Sequence, residues 1–186
     1  MRVSGVIRLL VVGVVIVLAS SCVTHVRYAS SRDISSDHGY VAGRFTEKRM
    51  FLEFRPQTHG TIRNVDTDEM YRFDLTFGDD LRLIELPPGR YIISNLFRIR
   101  SRSTADGGTE RDVIWIAVPD ALEREFVVLD GRATYVGDIT IDKRGFLSWY
   151  LCDAGVQFRF GEALDEFAEE YTGRGLDLVP SDAAAR

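Results

Sequence analysis

The sequence has few of the side chains on which most catalytic and metal sites depend. Its 186 residues include two cysteines and three histidines. The histidines, His25, His38 and His59, have no partner two or four positions away, so they lack the usual spacing of a zinc site. No common motif for a nucleophilic serine, a nucleotide phosphate, a zinc protease or a redox disulfide occurs. We therefore predict no catalytic residue, no metal site and no cofactor.

Clustered positive charge is also lacking. The chain has 23 Lys and Arg against 28 Asp and Glu, a formal net charge of −5, without a basic run. Because binding to a phosphate backbone needs clustered cations, we predict no nucleic-acid partner. The length suits one domain of ordinary size, and 45% hydrophobic residues indicate a globular protein.

The N-terminal apolar segment is short for a membrane-spanning helix. Leu9–Ala19 has eleven apolar residues and follows the basic residues Arg2 and Arg8. A helix of that length spans about 16 Å, roughly half of the hydrocarbon core of a bilayer. The segment is therefore typical of a signal peptide.

A cysteine follows this segment, in the sequence Leu18-Ala19-Ser20-Ser21-Cys22. The pattern resembles the lipobox of bacterial lipoproteins, although Ala19 stands where a lipobox prefers leucine. The resemblance implies that residues 1–21 are a signal peptide and that Cys22 carries the lipid that anchors the protein. In Gram-negative bacteria, Val23 in place of aspartate implies the outer membrane. An ordinary cleaved signal peptide is the alternative.

The only other thiol is Cys152. If Cys22 carries lipid, no intramolecular disulfide can form; if it does not, a Cys22–Cys152 bridge is the alternative in an oxidising compartment. We interpret Cys152 as a buried, unreactive thiol, since no base is adjacent in sequence.

Serine-rich and aperiodic sequence separates Cys22 from the first strand pattern. Residues 22–38 therefore predict a lipidated cysteine on a flexible tether. A single domain is expected over residues 39–180, and residues 181–186 are expected to fray.

Beyond residue 39 the apolar pattern has a period of two, which indicates strands. The expected strands are Tyr40–Thr46, Met50–Arg55, Tyr71–Phe77, Leu81–Leu86, Tyr91–Arg100, Val113–Val118, Phe126–Leu129, Ala133–Asp142, Phe146–Leu151 and Val156–Phe160. Turn sequences separate them at Asp79-Asp80, Asp106–Gly108, Asp130-Gly131, Asp142–Gly145 and Asp153–Gly155. The pattern predicts a mainly β protein, either an antiparallel β-sandwich or a β-barrel.

One amphipathic helix is expected at residues 162–172. Leu164, Phe167, Ala168 and Tyr171 form an apolar stripe opposite acidic residues. So short a helix is marginal alone, and we expect it to pack on the sandwich.

Two segments resemble known β-sandwich proteins. The segment Leu86-Pro87-Pro88-Gly89-Arg90-Tyr91 predicts a type II turn with Gly89 at positive φ. It is similar to a turn that recurs in bacterial prealbumin-like and carboxypeptidase-regulatory-like sandwiches. The pattern of Phe126, Asp130-Gly131 and Tyr135-x-Gly137-Asp138-Ile139 resembles a segment of envelope lipoproteins of unassigned function. These resemblances imply a prealbumin-like or Ig-like sandwich and say nothing about catalysis.

Asn64-x-Asp66-x-Asp68 imitates the start of a calcium loop. An EF-hand needs glycine at the sixth position and glutamate at the twelfth, where this chain has Glu69 and Leu75, so an EF-hand is excluded. A solvated acidic turn is the preferred interpretation, with a looser calcium site as the alternative.

Two other groups of residues are candidates for chemistry. Asp74, Asp138 and Asp142 are carboxylates, and two of them form a hydrolytic pair only if the fold brings them together. Trp115, Trp149 and Tyr150 are strand aromatics, which we expect in the core, with a sugar-stacking surface as the alternative.

We therefore expect a non-enzymatic, membrane-anchored envelope lipoprotein that binds or scaffolds through its β-sandwich. An envelope protein is a candidate partner, and no small-molecule ligand is specified by the sequence. A small-ligand or carbohydrate-binding module is the alternative, indicated by an apolar cavity or an exposed aromatic row. An envelope hydrolase is the second alternative, indicated by coupled carboxylates or by a histidine near a nucleophile.

Overall fold

The computed structural model describes residues 23–30, 32–48, 58–104, 106–146, 149–171 and 173–182. Within these ranges the chain forms twelve strands and one helix. They are β1 (Val23–His25), β2 (Arg27–Ala29), β3 (Gly39–Glu47), β4 (Thr58–Asn64), β5 (Met70–Asp74), β6 (Arg82–Leu86), β7 (Gly89–Ser103), β8 (Thr109–Ile116), β9 (Phe126–Val128), β10 (Arg132–Phe146), β11 (Trp149–Gln157), α1 (Phe160–Tyr171) and β12 (Asp177–Pro180). The predicted signal peptide, Cys22 and the predicted strand Met50–Arg55 lie outside the described residues.

The strands form two six-stranded sheets. Sheet I has the order β1-β5-β4-β7-β8, with β9 also paired to β7, and sheet II has the order β11-β10-β3-β6-β2, with β12 also paired to β10. Apolar side chains from both sheets form the core between them, including Phe73 and Leu96 of sheet I and Phe45, Ile84 and Ile139 of sheet II. The predicted β-sandwich with one C-terminal helix is confirmed.

Both sheets are mixed, with parallel as well as antiparallel pairs. In the described part of the chain, β1 lies parallel to β5, and β10 lies parallel to both β3 and β12. The partners in each parallel pair are far apart in sequence, so no hairpin turn joins them. A period of two identifies a strand but does not show the direction of its neighbour. The expected antiparallel pairs came from the turn sequences between successive strands, which carry no information on pairs that are distant in the chain.

The helix α1 packs on the side of sheet II that faces away from sheet I. Ala163, Phe167 and Tyr171 are buried there in a second apolar cluster that includes Tyr40 and Tyr135. The predicted packing of this helix is therefore confirmed.

The buried stripe of α1 differs in detail from the predicted one, because Leu164 is 43% exposed and Ala163 takes its place. The side chain of Glu166 explains the rotation of the helix. Its Oε1 accepts a hydrogen bond of 2.6 Å from the backbone N–H of Leu81, and its Oε2 contacts Arg44. These polar contacts turn Glu166 towards sheet II and Leu164 away from it.

The residues predicted to be a flexible tether belong instead to the folded domain. β1 pairs with β5 at the edge of sheet I, and β2 pairs with β6 at the edge of sheet II. Between them, the backbone N–H of Val26 donates to the carbonyl oxygen of Arg72 at 2.9 Å. Edge strands of three residues are too short to show a period, so the tether prediction for residues 23–29 is wrong. The first described strand begins directly after Cys22 in the chain.

A β-bulge at Gly137 reverses the facing of side chains along β10. The pairing with β3 shifts between Tyr135 and Asp138, and Gly137 has φ of 105°, a value that favours glycine. Before the bulge Tyr135 faces the helix layer; after it Ile139 and Ile141 face the core between the sheets. The simple alternation predicted all three on one face, which is wrong because one extra residue reverses the parity.

Some predicted turns are confirmed. Asp106–Gly108 joins β7 to β8, with Gly107 at a φ of 81°. Asp130-Gly131 is also a turn, with Gly131 at 67°, but it connects β9 of sheet I to β10 of sheet II rather than two strands of a hairpin.

Other turn predictions are wrong. Asp142–Gly145 and Asp153–Gly155 lie within β10 and β11, where Asp142 pairs with Asp153. The polar residues there lie on a strand face, which the sequence pattern does not distinguish from a turn. Gly89 begins β7 without positive φ; glycine fits there because a Cβ would lie 2.9 Å from Nδ2 of Asn64.

The end of the domain also differs from the expected frayed tail. Ser181 is buried after β12, and its backbone N–H donates to the carbonyl oxygen of Tyr135 at 2.9 Å. The expectation of fraying is therefore wrong at Ser181, and residues 183–186 lie outside the described part of the chain.

Candidate functional site

A bulge in β7 brings Phe97 to the outer face of sheet I, which is the face turned away from sheet II. The pairing of β7 with β4 skips Ser94. Tyr91 and Ile93, before the bulge, and Leu96, after it, are buried in the core. Phe97 therefore points outward, although unbroken alternation places it on the same face as Tyr91. The signal for the bulge in the sequence is the polar pair Ser94-Asn95 inside an apolar strand.

Four side chains lie side by side across this outer face, on β5, β4, β7 and β8. We call Asp74, His59, Phe97 and Trp115 the aromatic row, because each pairs in register with the next. The ring centroids of His59 and Phe97 are 5.5 Å apart, as are those of Phe97 and Trp115. Such cross-strand contacts stabilise a sheet surface.

Trp115 is 67% exposed at the end of the aromatic row. Val113, two residues earlier on β8, is 49% exposed. Trp115 therefore lies on the surface, and its expected place in the core is wrong. The side chains of Trp149 and Tyr150 lie outside what the structure describes, so the expectation for them stays a prediction. Of the aromatic side chains in this row, Trp115 is exposed, whereas the side chain of His59 is 15% exposed and Phe97 is half-buried, so the exposed aromatic surface named as a sign of ligand binding is present at Trp115.

The polar end of the row is the pair of His59 and Asp74. Nδ1 of His59 lies 2.6 Å from Oδ1 of Asp74. Burial lowers the pKa of His59, while the hydrogen bond to Asp74 acts in the opposite direction. Folding therefore favours the neutral form of the His59 imidazole. At neutral pH, His59 is a neutral hydrogen-bonding partner beside the aromatic rings.

A cation also lies against this row. The guanidinium of Arg72 is 5.3 Å from the centroid of the Phe97 ring, a cation–π distance. Its Nε is buried without a hydrogen-bond partner. Among the described residues, Arg72 has no ion-pair partner within 4.0 Å, unlike Arg63 and Arg90, which pair with acidic side chains. Arg72 can therefore attract an anion to the outer face of sheet I.

The outer face continues from the aromatic row to the edge strand β1. His25 pairs in register with Arg72, and Val23 pairs with Met70. Val23 is 42% exposed and lies next to Cys22 in the chain. Apolar and basic side chains therefore extend over the outer face from β8 to the first described residue.

The predicted acidic turn joins β4 to β5. Oδ1 of Asn64 accepts hydrogen bonds from the backbone N–H groups of Asp66 and Thr67, and the carboxylates of Asp66 and Asp68 pair with arginines. Each carboxylate thus has its own cation, as expected for a solvated acidic turn. Within the described ranges, no group of three His, Cys, Asp or Glu residues is arranged to hold a metal ion.

The three candidate carboxylates have separate partners. Asp74 binds His59, Asp142 lies 3.3 Å from Nζ of Lys48, and Asp138 is buried against arginines. Asp138 and Asp142 lie on β10 of sheet II, whereas Asp74 lies on β5 of sheet I. The fold therefore does not bring these carboxylates together as a pair.

Cys152 lies beside a buried charge cluster in the core. Glu47 contacts Lys143 and lies 3.4 Å from Nη1 of Arg98. Burial raises the pKa of the Cys152 thiol, and the neighbouring Arg98 and Lys143 only partly oppose this effect. A raised pKa is typical of an unreactive thiol, but Cys152 is half-buried rather than buried as expected, and its lack of reactivity stays a prediction. This charge cluster could not be predicted from the sequence, because its members are far apart in the chain.

Of the remaining predicted histidines, His38 lies 3.2 Å from Glu85, and His25 is exposed on β1. In the described part of the chain, no helix is both long and apolar enough to cross a membrane. Comparisons with protein families, with curated proteins and with solved structures found no match.

Proposed function

We propose that this protein is a non-enzymatic envelope lipoprotein, anchored by lipid on Cys22, that binds through the outer face of sheet I. The observation that carries the binding role is the exposure of Trp115 beside Phe97 on a sheet face that no helix of the described residues covers. Sheet II carries α1 on its outer face. An exposed aromatic group on one uncovered face is typical of an interaction surface.

The proposed anchor rests on the N-terminal sequence. Arg2 and Arg8, the eleven-residue apolar segment and the lipobox-like Leu18–Cys22 together favour lipidation. Several acyl chains on one cysteine would hold the protein firmly, because each buried CH₂ contributes about 0.8 kcal/mol. Val23 after the cysteine favours the outer membrane.

Replacement of the cysteine tests the anchor. We expect the wild-type protein to incorporate radioactive palmitate and to stay in the membrane fraction after an alkaline carbonate wash. Cys22→Ser should carry no label and should be released by the wash, while Cys152→Ser, the matched control, should behave as the wild type. A wild-type protein without label would contradict the proposal.

A carbohydrate ligand is the second candidate for this face. Sugar rings stack on exposed aromatic rings and take hydrogen bonds from polar neighbours, and here Trp115 lies in one row with His59 and Asp74. Titration with soluble chitooligosaccharides should then shift Trp115 fluorescence, and Trp115→Ala should remove the shift. An unchanged spectrum in the wild type would contradict this candidate. No comparable observation favours a hydrolase.

A further inference from the structure

We infer that the outer face of sheet I lies against the membrane in which Cys22 is anchored, with Trp115 and Phe97 in the interfacial layer of the lipid. This inference rests on the lipid anchor proposed above and names the partner of the same face. It assigns to the aromatic row the role of a second membrane contact, at the opposite side of the sheet from the anchor.

The position of β1 is the first argument. Val23 follows Cys22 directly and already pairs with Met70 in sheet I, so no linker separates the anchor from the sheet. Consecutive Cα atoms lie only 3.8 Å apart. A lipid on Cys22 would therefore hold the β1 edge of sheet I at the membrane surface, and it leaves little freedom for the domain to move away.

The reach of the sheet is the second argument. Four strand spacings separate β1 from β8, and at about 4.8 Å each they place Trp115 roughly 19 Å across the sheet from the anchored edge. A flat contact would bring both edges to the lipid. Anchoring gives the face an effective lipid concentration on the order of millimolar or above. Even if the face binds lipid weakly, most molecules would therefore have it in contact with the membrane.

The chemistry of the face is the third argument. Tryptophan is enriched at membrane–water interfaces, because its large apolar ring contacts the lipid while its N–H group finds a polar partner. Val113 and Val23 add exposed apolar surface, and Arg72 supplies a cation without a carboxylate partner among the described residues. Asp74 of the aromatic row is hydrogen-bonded to the neutral imidazole of His59, so this pair still carries one negative charge, which the cation of Arg72 offsets. The aromatic and apolar groups suit the interfacial layer of a membrane, and Arg72 adds an attraction to anionic headgroups.

Quenching by brominated lipid tests this contact. Lipidated full-length protein is reconstituted into vesicles of phosphatidylethanolamine and phosphatidylglycerol at about 3:1, with or without bromine near the top of the acyl chains. The emission of Trp115 is obtained as the difference between the wild type and Trp115→Phe. We expect brominated vesicles to reduce this emission at least twofold.

The exposed face of helix α1 supplies the matched control. Leu164→Trp, made in the Trp115→Phe background, places a tryptophan on the opposite side of the molecule, where we expect a loss of less than a tenth of its emission. A further variant, Arg72→Gln, should reduce the quenching of Trp115 in vesicles with phosphatidylglycerol and leave it unchanged in vesicles of phosphatidylcholine alone.

The outcomes separate this inference from the anchor on which it rests. Unquenched Trp115 in a protein that carries palmitate would overturn the membrane contact and leave the lipoprotein proposal standing. Equal quenching of Trp115 and of Leu164→Trp would also overturn it, because the contact would then have no preferred face. A wild-type protein without palmitate would overturn both. A Trp115 that ignores brominated lipid but responds to chitooligosaccharides would assign the face to carbohydrate.

Discussion

Asp138 accepts hydrogen bonds from three side chains although it is only 3% exposed. Its carboxylate oxygens lie 3.0 Å from Nη1 of Arg44, 2.8 Å from the hydroxyl of Tyr135 and 2.7 Å from Nε of Arg159. The bulge at Gly137 turns Asp138 towards these partners. A buried carboxylate with this many donors organises the interface between sheet II and α1, because its loss leaves the buried guanidinium of Arg44 with Glu166 alone and removes the shortest ion pair of Arg159.

Loss of this carboxylate should therefore destabilise the protein strongly. We expect Asp138→Ala to lower the free energy of unfolding by about 3–5 kcal/mol. Asp142→Ala, four residues along the same strand, removes only the exposed pair with Lys48 and should cost less than about 1 kcal/mol. Urea denaturation of the purified protein measures both values. Equal costs for the two variants would show that the buried network does not have this role.

His59 makes the stability of the protein depend on pH. Burial lowers its folded-state pKa below the ordinary value of 6.5, so the unfolded chain binds a proton more readily than the folded chain. The contribution of His59 to the free energy of unfolding should then be complete above about pH 6.5, and the free energy of unfolding should decrease as the pH drops towards the folded-state pKa. His59→Gln should flatten the slope in this window, as measured by denaturation at several pH values. The same slope in the variant would contradict the assignment of the effect to His59.

At the scale of strands and the helix, two bulges decide which side chains face the core. Alternation identifies β7 and β10 from the sequence, because apolar residues recur every second position. It cannot show that Ser94 and Gly137 are extra residues, since a bulge depends on pairing with β4 and β3, which are distant in the chain. The aromatic row was missed for this reason: Phe97 reaches the outer face only because of Ser94.

The phase of α1 depends in the same way on contacts that are distant in sequence. The stripe of Phe167 and Tyr171 is visible in the sequence, but the contact of Glu166 with Leu81 is not. This contact determines that Ala163, rather than Leu164, faces sheet II.

The two apolar side chains Phe167 and Leu164 of the helix should therefore contribute very differently to stability. Phe167→Ala should lower the free energy of unfolding by roughly 3–5 kcal/mol, because the ring is buried in the cluster beneath the helix. Leu164→Ala should change it by less than about 0.5 kcal/mol, since Leu164 faces solvent. Thermal and urea unfolding of both variants provide the measurement. A larger cost at Leu164 than at Phe167 would mean that the helix packs with the stripe expected from sequence.

At the scale of the whole molecule, the two sheets differ in what covers them. Sheet II carries α1 on its outer face, whereas sheet I presents the aromatic row. The mainly β sandwich class could be predicted from the period of the sequence, whereas the lipid anchor at Cys22 stays a prediction from the N-terminal residues. The place of β1 in sheet I could not be predicted, because a strand of three residues shows no period. Its pairing with β5 now links the proposed anchor to the proposed binding face.

Cysteine labelling tests most directly whether the outer face of sheet I is covered when the protein is in its own membrane. In a Cys152→Ser background, Val113→Cys on sheet I and Leu164→Cys on α1 are labelled with a membrane-impermeant maleimide, once in isolated, opened membranes and once after solubilisation in detergent. We expect solubilisation to accelerate labelling of Val113→Cys at least tenfold and to leave Leu164→Cys within a factor of two. Equal rates for Val113→Cys in membranes and in detergent would contradict the account.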